Sequence, residues 1–221
     1  PESVLRAATT GRVLLSSCDV SVEGDVRALL RQATVTAARG GGPLRGLLHA
    51  SGVLRNSLLR KADSAGLDAV LAPKAAGAVL LHAAVATTPL SSLVLFSSVA
   101  ADFGSVGMGT YAAANAALDG LAMGRSLAGQ VASSLQIPLI SDVGLGKETK
   151  ALRGGLNVWS EVPVERFLEA MRSLLAPARS PRTVRATVYL PLPGDQLVRA
   201  ASAGGELART PQFAALVSEL A

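Results

Sequence analysis

The sequence predicts an α/β fold built on a parallel sheet, and three observations lead there. Short apolar runs alternate with longer stretches of helical period, as successive strand–helix units require. Ala, Leu, Val and Gly dominate while aromatic residues make up only 3% of the chain, which suits helices packed closely on buried parallel strands. With 49% of its 221 residues apolar, the chain has the material for a substantial core.

Five apolar runs are candidate strands: Arg12 to Ser17, Leu44 to His49, Leu93 to Ser97, Leu135 to Ser141 and Thr183 to Leu190. Between them the period predicts helices at about Val22 to Ala38, Ser64 to Val85, Met108 to Leu127 and Val164 to Leu175, with a last one near Pro211 to Leu220. Gly40-Gly41-Gly42-Pro43, Pro89 and Pro177 mark loops between them. Residues 1–190 read as one domain. Residues 191–221 read as a surface wrap, a final helix and the start of an interdomain linker. The pattern is that of a doubly wound, Rossmann-like sheet, yet the fingerprint G-x-G-x-x-G is missing. Together with a first residue that is Pro1 rather than Met, this leads us to expect an N-terminally truncated sheet and a piece of a longer polypeptide.

Composition excludes several classes of function. The formal charge of +5 comes from arginines spread along the chain, and no aromatic residues interleave with them, so no nucleic-acid partner is expected. A single cysteine, Cys18, allows neither an internal disulfide framework nor a cysteine zinc site. It fits the cytoplasm or another reducing compartment and is expected as a small buried residue. Lys, Arg, Pro or Asp interrupts the longest apolar stretches, and the start lacks the pattern of a signal peptide, so no membrane association is expected. His49 and His82 lack partners at metal-ligand spacing and read as structural, with no metal expected. Gly144-Leu145-Gly146-Lys147 fails as a phosphate loop, because Ser141 stands where its first glycine belongs and Glu148 where Ser or Thr belongs. Ser98 is in no G-x-S-x-G elbow.

One constellation survives these exclusions. The run Leu93-Val94-Leu95-Phe96-Ser97-Ser98 delivers two serines to the C-terminal rim of the sheet, where open α/β sheets bind ligands. Thirteen residues after Ser98 comes Tyr111, with Asn115 at i+4 in Tyr-Ala-Ala-Ala-Asn-Ala-Ala-Leu-Asp. On a helix the two share a face, and the alanines between them leave the tyrosine ring space against a ligand. A Tyr and an Asn on an Ala-rich helix are also ordinary packing residues. Lys74, in Leu-Ala-Pro-Lys-Ala-Ala-Gly-Ala, lies in an otherwise apolar helix and reads equally as a snorkelling surface lysine.

Taken together, these segments resemble the ketoreductase branch of the short-chain dehydrogenase/reductase family, as found in modular polyketide synthases and multifunctional fatty-acid synthases. Leu48-His49-Ala50-Ser51-Gly52-Val53-Leu54 is similar to that branch's His-Ala-Ala-Gly-Val-Leu segment. Leu71-Ala72-Pro73-Lys74 with Gly77, then Phe96 to Ala101, then Tyr111 to Asp119 follow in its order and spacing, and Cys18-Asp19-Val20 resembles the Cys-Asp-Val that meets the adenine.

The resemblance implies NADPH-dependent reduction of a β-ketoacyl chain carried on an acyl carrier protein, beside neighbouring synthase domains. It implies Tyr111 as proton donor, Ser98 as hydrogen-bond donor to the substrate carbonyl, Lys74 as the cation beside tyrosine and nicotinamide ribose, and Asn115 as support for the proton relay. Asp19, Val20, Ala50, Ser51, Gly52, Lys74 and Tyr111 are the implied cofactor contacts. In ordinary members the lysine follows the tyrosine by four residues; here Asn115 takes that place and Lys74 comes from the preceding helix, as in the synthase branch. A phenol that titrates near 10 needs such help at neutral pH, and a nearby ammonium favours its ionised form. Hydride from a nicotinamide leaves an alkoxide that a serine and a tyrosine stabilise and protonate.

Three segments depart from the branch: Leu54-Arg55-Asn56 replaces Leu-Asp-Asp, Phe103 stands where one stereochemical class carries Trp, and Ser141-Asp142-Val143-Gly144 replaces Asn-Trp-Gly-Pro. Two readings follow. One is a piece of an active reductase, favoured because every catalytic position is filled. The other is a non-catalytic structural or docking remnant.

Overall fold

A computed structural model describes residues 13–104, 106–140 and 162–175, together with the backbone of Thr187–Tyr189. Four parallel strands, β1 (Gly46–His49), β2 (Ser92–Ser98), β3 (Ser133–Ile137) and β4 (Thr187–Tyr189), pair in the order β1-β2-β3-β4. The register sets Leu48 against Val94, Phe96 against Leu135 and Ser97 against Gln136. The helices are α1 (Glu23–Arg39), α2 (Ser64–Leu71), α3 (Gly77–Ala84), a short α4 (Ala100–Phe103), α5 (Gly109–Leu127) and α6 (Val164–Leu175).

Successive strand residues point to opposite faces, and β2 shows why both faces need cover. Leu93 and Leu95 join Val26, Leu30, Ala78, Leu81, Leu118 and Ala122, so α1, α3 and α5 bury one face. Val94 joins Leu135 and Met171, with Phe96 and Phe167 edge to face at 5.7 Å, so α6 covers the other. A sheet buried on both sides explains why its strands read as nearly continuous apolar runs. Arg125 of α5 ties this packing together: Nη1 donates to His82 Nδ1 of α3 at 2.6 Å and Nε to the Val131 carbonyl at 3.2 Å. His82 thus has the structural role expected of it.

Two predicted elements change. Residues 13–17 of the Arg12 to Ser17 run form no strand, and Leu14 and Leu15 are 56% and 62% exposed. A strand is a pairing rather than a local conformation, and among the described residues no strand lies alongside this run. The strand of the fourth apolar run, Leu135 to Ser141, starts earlier than expected, at Ser133, and stops at Ile137, because Pro138 has no N–H to donate to a ladder. Only an isolated bridge, Ile140 to Val162, continues it. The Pro211 to Leu220 helix, the 191–221 wrap and most of the Thr183 to Leu190 strand lie outside the described residues, as does the domain boundary after 190.

The predicted Ser64 to Val85 helix holds, but with a π turn at Ala72–Ala76 joining α2 to α3. Pro73 lacks an N–H and crowds the preceding turn, so the helix widens there rather than breaking. By length and a mean hydropathy of 1.3, Ser64–Ala84 is long and apolar enough to cross a membrane. It contains Asp68, Pro73 and Lys74, and it packs Val70, Ala78 and Leu81 into the interior.

Leu118 is inaccessible to solvent where α5 meets the sheet. Leu118→Ala is therefore expected to lower stability by about 2–5 kcal/mol, read from urea unfolding; a loss well under 1 kcal/mol would mean that α5 does not pack here.

Candidate active site

The C-terminal ends of β1 and β2 and the first turn of α5 converge on Lys74. This lysine lies within the π turn, four residues from both Val70 and Ala78 on the buried face of its helix, and is only 5% exposed. Its Nζ donates to the Phe96 carbonyl of β2 at 2.8 Å and lies 5.6 Å from the centroid of the Tyr111 ring, within cation–π range. The Lys74 carbonyl in turn accepts a hydrogen bond from His49 Nε2 at 2.8 Å, fixing the π turn to the end of β1. Gly52, just past β1, has no space for a side chain: a Cβ there would come within 2.8 Å of Lys74 Cε and 3.4 Å of Nζ.

The other predicted catalytic residues are arranged around this centre. Tyr111 is half-buried in the first turn of α5. Asn115, fully buried one turn later, donates from Nδ2 to the Tyr111 carbonyl at 2.7 Å, and its own carbonyl accepts from Ser97 Oγ at 3.2 Å. Asn115 Oδ1 is buried without a partner among the described residues. Ser98 ends β2 half-buried; its Oγ accepts from the Ala100 amide at 3.2 Å, which leaves the hydroxyl proton free to be donated.

The predicted cofactor contacts divide. Gly52 touches Lys74, and Val20 packs on Gly77 less than a turn beyond Lys74, where a Cβ would meet Val20 Cγ2 at 2.9 Å and the Val20 carbonyl at 3.2 Å. Ala50 and Ser51 occupy the turn between His49 and Gly52. Asp19 is exposed and turned to its own loop: Oδ1 accepts from the Ser21 amide and hydroxyl at 2.9 and 2.7 Å, which lowers its pKa. Cys18 is half-buried rather than buried, because the 13–17 segment beside it lies off the sheet; burial, then Asp25 and Asp19, push its thiol pKa up.

Three participants are not singled out by the sequence. His49 reads there as structural with no partner named, the Phe96 carbonyl is backbone, and Asp119 stands two turns beyond Tyr111 on α5. Asp119 accepts hydrogen bonds from Ser134 Oγ and, at 2.9 Å, from Gln136 Nε2. Only the Tyr-to-Asp spacing of the α5 segment points to it.

With this geometry in view, the comparisons with known proteins are specific. The KR domain family model matches residues 3–142. The chain belongs to this ketoreductase family. A phenolphthiocerol/phthiocerol polyketide synthase of Mycobacterium tuberculosis (strain CDC 1551 / Oshkosh) is 38% identical to it over 162 residues, 72% of this chain and 9% of that synthase. Polyketide synthase GfsB of Streptomyces halstedii is 41% identical over 129 residues, 58% of this chain and 2% of that synthase. Among solved structures, an A1-type ketoreductase matches with a TM-score of 0.76 at 28% identity, over 91% of this chain and 40% of its own. The first ketoreductase of the tylosin PKS matches with a TM-score of 0.69, also at 28% identity, over 91% of this chain and 41% of its own. Sequence and fold both identify a polyketide-synthase ketoreductase domain with a Rossmann-like parallel sheet. The chain spans less than half the length of each of these relatives. Of the three departures from the branch, Arg55 is exposed beside Gly66 of α2 and Asn56 is exposed beside Gly107, while the Phe103 side chain and residues 141–144 lie outside the described residues.

Burial lowers the Lys74 pKa to about 8, with the charge of Asp119 opposing the shift. The unfolded chain, titrating near 10.5, then holds the extra proton between the two values, so stability rises with pH from about 8 to about 10.5 and carries its full penalty below 8. At ~1.36 kcal/mol per unit this amounts to roughly 3 kcal/mol. Lys74→Met is expected to abolish that rise in urea unfolding at pH 7.5 and 10.5; parallel profiles for the two proteins would show that Lys74 is not buried as an ammonium.

Proposed function

We propose that this domain performs NADPH-dependent reduction of a β-ketoacyl thioester, carried on an acyl carrier protein, to the β-hydroxyacyl thioester within a polyketide synthase. The observation that carries this reading is the buried Lys74 ammonium beside the face of the Tyr111 ring, reached from a separate helix. Lys74 has three N–H donors and one is taken up by the Phe96 carbonyl. The other two suit the hydroxyls of a ribose, and Gly52 leaves the approach free of side-chain bulk. These residues fit the nicotinamide end of the cofactor. When bound, NADPH supplies the hydride.

The chain's own residues do the rest. Ser98 Oγ, oriented by the Ala100 amide, donates to the substrate carbonyl oxygen and holds the charge that develops there. Tyr111 gives its proton to the new alkoxide, and the Lys74 ammonium stabilises the phenolate left behind. Asn115 braces the turn that carries Tyr111, through the 2.7 Å bond to its carbonyl. This reading links the chain to neighbouring synthase domains and to a carrier-bound substrate, and it fits the cytoplasm or another reducing compartment.

The second reading is a non-catalytic structural or docking remnant of a synthase ketoreductase region; these 221 residues hold no G-x-G-x-x-G to cradle the cofactor's pyrophosphate. For the same reason the chain alone is expected to bind NADPH weakly in a nicotinamide-fluorescence titration; tight binding would mean that its phosphates are held by other residues.

Tyr111→Phe distinguishes the two readings. In the full-length polypeptide this change keeps the ring and removes the proton, so NADPH affinity should survive while reduction of a diffusible β-ketoacyl thioester falls by about a hundred- to ten-thousand-fold. Lys74→Ala should impair the same step and also weaken cofactor binding. Turnover of Tyr111→Phe near that of the wild type would remove the proton-donor role and favour the non-catalytic reading.

A further inference from the structure

A chain so rich in apolar residues nevertheless buries a layer of polar groups on the α5 side of the sheet. His49 and Ser134 flank Leu95 on the neighbouring strands, and Ser97 and Gln136 pair with each other one step further toward the C-terminal end of that face. Asp119, half-buried, borders this layer and has no part in the proposed proton transfer. Tyr111, Asn115 and Asp119 stand at i, i+4 and i+8 and form one row along α5. Ser134 and Gln136 alternate with Leu135, so both face α5, and both donate to the Asp119 carboxylate.

The register relates this carboxylate to Lys74. Lys74 is anchored on the carbonyl of Phe96, whose partner on β3 is Leu135, the residue between the two that hold Asp119. Ammonium and carboxylate are therefore anchored on paired residues of adjacent strands, whose backbones lie about 4.8 Å apart. Among the described residues Lys74 forms no ion pair, so Asp119 acts on it across the interior rather than by contact. A buried cation needs a compensating charge, and tethering by two donors keeps this one pointed at the sheet.

Building on the reductase reading, we propose that Asp119 is a positioning residue: held on β3 by Ser134 and Gln136, its carboxylate supplies the counter-charge for the buried Lys74 ammonium beside Tyr111. The same charge opposes the effect of burial on the lysine.

The test compares wild type, Asp119→Asn and Asp119→Glu in the full-length polypeptide, with two readouts. Trace acetylation by acetic anhydride, quantified at Lys74 by mass spectrometry across pH, reports ammonium titration whether or not the protein turns over. In Asp119→Asn it should move to lower pH by about one unit, as a unit charge several ångströms away in a protein interior predicts, and Asp119→Glu should restore most of the shift. The alkaline limb of kcat against pH should move the same way.

A purely structural Asp119 would lower thermal stability and leave both profiles in place, and that result overturns the proposal. Should Asp119→Asn fail to fold, Ser134→Ala removes one of the two tethers and should shift the acetylation profile in the same direction by less; an unchanged profile there overturns it too. A wild type with no ketoreduction would sink the reductase reading, while the acetylation profile still decides the coupling between Asp119 and Lys74.

Discussion

A lysine ammonium held under the rim of a parallel sheet is the constraint on which the rest of this site depends. Taking such a charge out of water costs several kcal/mol unless polar partners surround it. Here the Phe96 carbonyl accepts one N–H, the Tyr111 ring offers its face, and His49 holds the lysine's own backbone. Each of these partners comes from a different strand or helix. The cation therefore makes the positions of β1, β2, the π turn and α5 interdependent. Moving any one of them exposes or orphans the charge.

Helical spacing delivers this group. Val70, Lys74, Ala78 and Leu81 stand at i, i+4, i+8 and i+11 and share the face that the helix buries. The π turn at Ala72–Ala76 accommodates Pro73 within that helix without breaking it, and Gly77 beyond it still meets Val20. The lysine is thus set into the interior by the same period that buries its apolar neighbours.

How much of this was legible depended on whether the information was local. The α6 limits, Val164 and Leu175, follow from a strong helical period, and β1 and β2 follow from apolar runs bounded by Gly, Pro and Ser. Residues 13–17 show where a local signal fails, because Val13, Leu14 and Leu15 look like a strand until a neighbour is required. Lys74 carried two equal readings in the sequence, surface or site; only the resemblance favoured the second, and only the packing buries it. Asp119 was harder still. Its partners lie 15 and 17 residues away, and nothing but the β2–β3 register brings them level with Lys74.

The division of labour between helices has a mechanical logic that follows from these contacts. Were the cation to follow Tyr111 by four residues on α5, it would occupy the place of Asn115, which faces the interior and braces the tyrosine's own turn. Cation and phenol would then move as one body. With Lys74 on the neighbouring helix, the cation is tied through Gly77 to Val20 and through the adjacent Gly52 to the end of β1, the two segments proposed to meet the cofactor. Tyr111 is tied through Asn115 and Ser97 to the end of β2, beside Ser98, the proposed donor to the substrate carbonyl. Under the proposed reductase reading, the cation–ring contact joins the segments proposed to hold the cofactor to those proposed to hold the substrate, so that displacing either set would disturb the contact itself.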